Sequence, residues 1–269
     1  MKNNLWVWGC VLDTVPGNIQ FAPGQHYCSL ETAADFIGAD NVVLTNTVDN
    51  AADSLNERIF APLAGKSVVC ILQHSDYRGS AEAISRFSQT HPNITGAMID
   101  DFLDYRGNYY RGPSAGMKPE ELKAIRDALK KHNPDLKLYV VRYSRENMDE
   151  LIPYLDYFDV LSFWCWVSTR DFWEAHYSDT VAELQTKYDK PIIQGIFLHH
   201  YGIDATDFTP MSQDLLKLQC RRVAEELRPG HIDGVCVLSN GWFDRDSHRE
   251  QVQFVRDYFA WVFGTWTRR

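Results

Sequence analysis

The sequence predicts an α/β fold, a single (β/α)8 (TIM) barrel with eight parallel strands inside and helices outside, spanning residues 1–269 as one domain. Three observations predict it. Short apolar runs rich in Val, Ile, Leu and aromatic residues alternate with helical patterns along the whole chain, as parallel strands buried on both faces require. Eight such runs recur about every 33 residues, the length of a strand, its crossover helix and their loops. The segments leading out of the strands are long and polar, whereas those leading back from the helices are short. That asymmetry separates the working end of a barrel from its structural end.

The strands are predicted over 5–12, 41–47, 67–74, 95–101, 137–143, 158–166, 191–199 and 234–240. Helices are expected over 30–37, 51–60, 80–91, 118–132, 145–155, 170–188, 211–227 and 247–263. The clearest is 118–132. Pro119 suits a first helical turn, Glu120 and Glu121 sit at the positive end of the dipole, and Lys130, Lys131 and His132 at the negative end. Leu122, Ile125 and Leu129 form its apolar stripe. The returns 65–66, 92–93, 133–135 and 189–190 are short, while 13–27, 101–117 and 201–210 are long and chemically loaded. These long loops are expected to wall a site at the C-terminal ends of the strands.

Composition narrows the function. The chain is 45% hydrophobic and 23% charged, which excludes disorder. With 27 basic and 36 acidic side chains its net charge is -9. That argues against nucleic-acid partners and against anionic membrane surfaces. No apolar run approaches the ~20 residues of a membrane span. The run 5–8 stops at Gly9, too soon for a secretory signal core. A cytoplasmic location is expected if Met1 is the native start, and an exported one if a leader has been removed. The six cysteines have no metal or redox spacing and are expected to be buried, reduced thiols. The sequence does not indicate an oligomeric state. The 8 Trp, 13 Tyr and 14 Phe exceed ordinary usage, and part of this excess is expected to stack on sugar-like rings.

The fourth strand carries the strongest chemical signal. It ends Ile99-Asp100-Asp101-Phe102, placing two carboxylates at the rim of an apolar strand. Buried charge needs compensation, so a catalytic or ligand-holding role competes with that of a polar strand end. Successive strand residues face opposite ways, so only one of Asp100 and Asp101 is expected in the pocket. A second acid must then come from another strand. Asp13, Asp76, Glu146 and Asp244 are the candidates, each also consistent with a solvated loop acid or helix cap. Asp244 is favoured because it follows Asn240-Gly241-Trp242 at the last strand's mouth. Expected ligand contacts are Trp8, Gln73, His74, Arg142, Tyr143, Trp164, Trp166, His199, His200, Tyr201, Asn240 and Trp242, with Asn46 a further hydroxyl-binding group. The Tyr- and Gly-bearing loop 103–113 suits either a self-packed surface loop or a lid.

On these residues the chain resembles glycoside-hydrolase-type (β/α)8 barrels. Gly96 and Asp100 match part of the fourth-strand pattern of chitinase-like barrels. Phe102 stands where that pattern has its catalytic Glu, and Met98 where it has an earlier Asp. The resemblance implies carbohydrate hydrolysis by carboxylate acid/base chemistry, without a cofactor. A non-catalytic glycan-binding barrel is the alternative, as is a metal-dependent hydrolase or isomerase using His74, His199 and His200 beside Asp100 or Asp101. No dinucleotide fingerprint, phosphate loop, HExxH or GxSxG is present, and no metal site is expected.

Overall fold

The computed structural model describes residues 4–11, 28–45, 55–103, 105–106, 110–111, 116–166, 168–200 and 209–266, with backbone only for 105–106, 110–111 and 265–266. Eight parallel strands close into a barrel. They are β1 (Leu5–Gly9), β2 (Asn41–Leu44), β3 (Ser67–Ile71), β4 (Ile94–Ile99), β5 (Lys137–Tyr143), β6 (Val160–Trp164), β7 (Ile192–Phe197) and β8 (Gly234–Leu238). The ring runs β1-β8-β7-β6-β5-β4-β3-β2, so β1 pairs with both β2 and β8. Every strand lies on a run the sequence marks. Most end two or three residues early, because the final residues of each run leave the ladder to enter the rim.

The helices follow the expected order: α1 (Leu30–Ile37), α2 (Glu57–Phe60), α3 (Tyr77–Phe87), α4 (Pro119–Lys130), α5 (Tyr177–Tyr188), α6 (Gln213–Leu227) and α7 (Arg249–Trp266). In α4 the predicted stripe is buried, and the Lys118 backbone N–H donates to Glu121 Oε2 at 2.7 Å. α3 starts ahead of the expected Ser80 because Asp76 caps it, Oδ1 accepting the Gly79 N–H at 2.8 Å. Only 57–60 of the expected helix 51–60 is α-helical, and 51–54 lies outside the described residues. The helix expected over 145–155 is instead a 3-10 helix, Met148–Tyr157. Pro153 sits inside it, and without an N–H it cannot extend an α-helical ladder. A π-helical turn, Phe172–His176, precedes α5. Tyr105–Arg106 and Tyr110–Arg111 pair as a short antiparallel ribbon beyond β4.

The lumen accounts for much of the aromatic excess. Trp6 meets Tyr139 edge-on at 6.1 Å, and Trp8 meets Trp164 at 5.6 Å, each pair reaching across the barrel. Glycines make the room. A Cβ on Gly195 would lie 2.0 Å from the Trp164 ring, and one on Gly96 would lie 2.9 Å from Tyr139 Cε2. Small residues facing large ones thus fill the barrel as a packed core. Burying each such indole contributes about 4–6 kcal/mol by area. Five of the six cysteines are buried, Cys28 is half-buried, and none forms a disulfide.

Candidate active site

The site is assembled where β4 and β5 end. β4 leaves its ladder at Ile99, and the chain then turns sharply through Asp101 (φ 48°) and Leu103 (φ 58°), both left-handed. Such conformations cost a non-glycine residue about 1–2 kcal/mol and need a reason. Here the turn buries Phe102, 1% exposed, edge-on against Tyr154 at 5.3 Å. The position that carries a catalytic Glu in the chitinase-like pattern is therefore a packing ring. The same turn breaks the strand's alternation. Asp100 Oδ1 accepts the Asp101 backbone N–H at 2.8 Å, and Asp101 Oδ1 accepts the Tyr143 hydroxyl at 2.5 Å.

Tyr143 closes β5 and is anchored through its backbone N–H, which donates to Glu146 Oε2 at 3.0 Å. Its ring packs edge-on against Trp166 at 5.4 Å. The Arg145 guanidinium lies 4.8 Å from the Tyr143 ring centroid and 5.5 Å from that of Trp166. His74, exposed at the end of β3, shares a 3.0 Å hydrogen bond between Nδ1 and the Tyr77 hydroxyl. Partial burial lowers the His74 pKa below the ordinary imidazole value, and the charge of Asp101 opposes that shift. The carboxylate, the phenol, the cation and the imidazole thus share one side of the rim. Arg145 and Tyr77 were not singled out from sequence. Arg145 carried a readable signal, a cation two residues beyond the end of β5.

Several other expected contacts are buried against protein partners. Trp8 is 5% exposed and its Nε1 donates to Thr45 Oγ1 at 2.7 Å. Trp164 is buried in the lumen with Nε1 donating to Ser162 Oγ. Arg142 faces outward from β5 beneath α5. Its guanidinium donates to the Tyr188 hydroxyl at 3.1 Å and to the carbonyls of Tyr143 at 2.9 Å and Glu146 at 2.6 Å. Strand alternation explains this, because Tyr143 takes the inward face and Arg142 the outward one. Gln73 is half-buried at the end of β3, and His200 is exposed with its N–H donating to the Thr209 carbonyl. Asp13, Asn46, Tyr201 and most of the loop 103–113 lie outside the described residues.

The β7–β8 side is closed. His199, Trp242 and His248 are buried and stack, with centroids 4.2 Å (His199 to Trp242) and 4.5 Å (Trp242 to His248) apart. His199 Nδ1 and His248 Nε2 share a 3.1 Å hydrogen bond. Burial first, then the neighbouring His199 and Arg245 charges, pushes the His248 pKa down to about 4. Asn240 donates to the carbonyls of Cys10 (2.8 Å) and Cys28 (2.7 Å) and accepts the Cys10 N–H at 3.3 Å. It fits only because residue 9 is glycine, where a Cβ would fall 1.7 Å from Asn240 Oδ1. Asp244 is exposed, and its charge acts on Cys28 before α1, on the side of the ring opposite β4. Asp76 caps α3, and Glu146 braces the β5 turn.

Among the described residues, no three His, Cys, Asp or Glu side chains converge to hold a metal ion. No helix among them is long and apolar enough to cross a membrane.

No protein-family model and no curated protein matches the chain. Solved structures do. A protein assigned as an alpha-L-fucosidase from Bacteroides thetaiotaomicron superposes with a TM-score of 0.61 at 15% identity, covering 98% of this chain and 94% of its own. A glycoside hydrolase family 5 mannosidase from Rhizomucor miehei gives 0.59 at 11%, covering 86% of each. A family GH128 endo-beta-1,3-glucanase from Amycolatopsis mediterranei, solved with laminarihexaose, gives 0.56 at 11%, covering 95% and 99%. The chain has the fold of the glycoside-hydrolase barrels. At these identities the likeness carries the fold alone, and the chemistry rests on the rim just described.

Proposed function

We propose that the chain hydrolyses glycosidic bonds of a carbohydrate or similar polyhydroxy substrate at the open end of the barrel, with Asp101 as the carboxylate that moves the proton. One observation carries this reading: the 2.5 Å hydrogen bond from Tyr143 to Asp101, set beside Trp166 at the C-terminal end of β4. A carboxylate fixed by a donor beside an aromatic wall has what a sugar site needs. The wall packs against C–H faces, and the placed carboxylate moves a proton at the reacting centre. The aligned barrels include glycosidases with different sugars, so fold analogy leaves the sugar open.

The test is a screen of 4-nitrophenyl glycosides and of β-glucan, mannan and xylan with the purified chain. Turnover of at least one is expected. Replacing Asp101 with Asn should cut it by about 10²–10⁴-fold, the usual contribution of a general acid or base. Wild-type turnover by both Asp100→Asn and Asp101→Asn would refute the assignment.

A second reading, glycan binding without hydrolysis, is favoured by one fact. The hydrogen bond at Asp101 comes from a phenol, so this contact itself supplies no second carboxyl at the spacing of about 5–5.5 or 6.5–9.5 Å that carboxylate-pair hydrolysis uses. Calorimetric binding of a glycan by a chain that turns over none of the panel would favour it.

A further inference from the structure

We infer that Tyr143 is the nucleophile of this site and Asp101 its general base, so that the chain cleaves glycosides with retention through a tyrosyl–glycoside intermediate. This rests on the hydrolytic reading above and says which atom attacks.

Three features of the rim support it. First, the phenol and the carboxylate meet at 2.5 Å, and an ionised carboxylate can only accept there. The phenolic proton therefore already lies on the path along which it would be removed. Second, the Arg145 guanidinium lies 4.8 Å from the Tyr143 ring centroid. A cation over the ring attracts its π face and helps hold the phenol in place. Third, the other carboxylate at this strand end accepts the Asp101 N–H and closes the turn. That turn, through the left-handed Asp101, is what delivers the base to Tyr143. A nucleophile with an adjacent base is the usual arrangement of an activated side chain.

The chemistry balances. In the first step Asp101 takes the Tyr143 proton as Oη forms a bond to the anomeric carbon. The glycosidic C–O bond breaks, its electron pair leaves with the aglycone oxygen, and that oxygen takes a proton from solvent water. In the second step water attacks the anomeric carbon and the Tyr143 C–O bond breaks. Asp101 returns its proton to Tyr143, and the proton lost by the attacking water goes to solvent. The sum is one glycoside and one water giving an alcohol and a reducing sugar.

The test uses the 2-deoxy-2-fluoroglycosyl fluoride of whichever configuration the aryl-glycoside screen shows to be turned over. Fluoride leaves without protonation, while the C2 fluorine disfavours the oxocarbenium-like transition states of both steps, so a covalent intermediate accumulates. Intact mass should rise by one fluorosugar, and peptide mapping should place it on Tyr143. Tyr143→Phe should form no adduct and lose about 10³-fold or more in aryl-glycoside turnover. Asp101→Asn should form the adduct at least about 10²-fold more slowly. Mapping is done on the wild-type chain, so a misfolded variant does not decide the result. An adduct on Asp101 or Asp100 would overturn the inference while leaving the hydrolytic reading intact. So would turnover with inverted product and no adduct. If no glycoside in the screen is cleaved, the hydrolytic reading fails first and the inference falls with it.

Discussion

Two sides of the same barrel end share histidine and tryptophan and use them in opposite ways. On the β4–β5 side a half-buried acid and tryptophan, a tyrosine 5% exposed like Trp8, and an exposed arginine and histidine meet at the rim. On the β7–β8 side two histidines, a tryptophan and an asparagine meet as a buried plug, with Asn240 bridging to the strand β1 side. Polar atoms committed to protein partners stabilise a fold, whereas polar groups at an exposed rim are available to a ligand. The contrast teaches that residue type and strand-end position do not by themselves make a site.

The sharpest way to break the comparison is to mutate both sides and read both activity and stability. Asp101→Asn should remove about 10²–10⁴-fold of turnover while leaving the urea midpoint nearly unchanged. Its counterpart, Trp242→Ala, should destabilise the chain by about 3–5 kcal/mol in urea unfolding, because it removes the middle ring of a buried stack. A Trp242 variant with native stability and weakened glycan binding would move that side into the site.

Acid should separate the sides next. The folded His248 pKa of about 4 lies below the ordinary value of 6.5, so the unfolded chain binds this proton more readily. The associated stability is present above about pH 6.5 and is lost as the pH falls through about 4. Thermal melts between pH 7 and 4 should show the loss, and His248→Gln should flatten it. An unchanged slope in that variant would show that other groups carry the acid sensitivity. The smallest effect is expected at Trp166→Ala, which should weaken glycan binding by about 1–2 kcal/mol while costing little stability, measured by calorimetry against urea unfolding.

Much of the fold was legible in the sequence, and much less of the site. All eight strands lie on the apolar runs, because burial on both faces leaves a continuous signal. Pro153, visible in the sequence, marks why the segment after β5 winds as a 3-10 helix. Asp100, Asp101, Tyr143, Trp166 and His74 were legible as strand-end residues. Their grouping was not, and neither was the assignment of Trp8, Trp164, Arg142, His199, Asn240 and Trp242 to packing. Asp101 shows the reason most clearly. Regular alternation allows only one of two adjacent acids into a pocket, but a left-handed turn that buries Phe102 suspends the alternation at that residue.

The sequence by itself determined a (β/α)8 barrel with its working end at the long loops, because strand periodicity, spacing and loop length are local quantities that add along the chain. Only the tertiary structure decided that Asp101 meets Tyr143 beneath Arg145, and that His199 and Asn240 turn inward to partners 49 and 230 residues away. Contacts at such separations depend on the closure of the ring and on the direction of each side chain at its rim. No local pattern in the chain encodes either one.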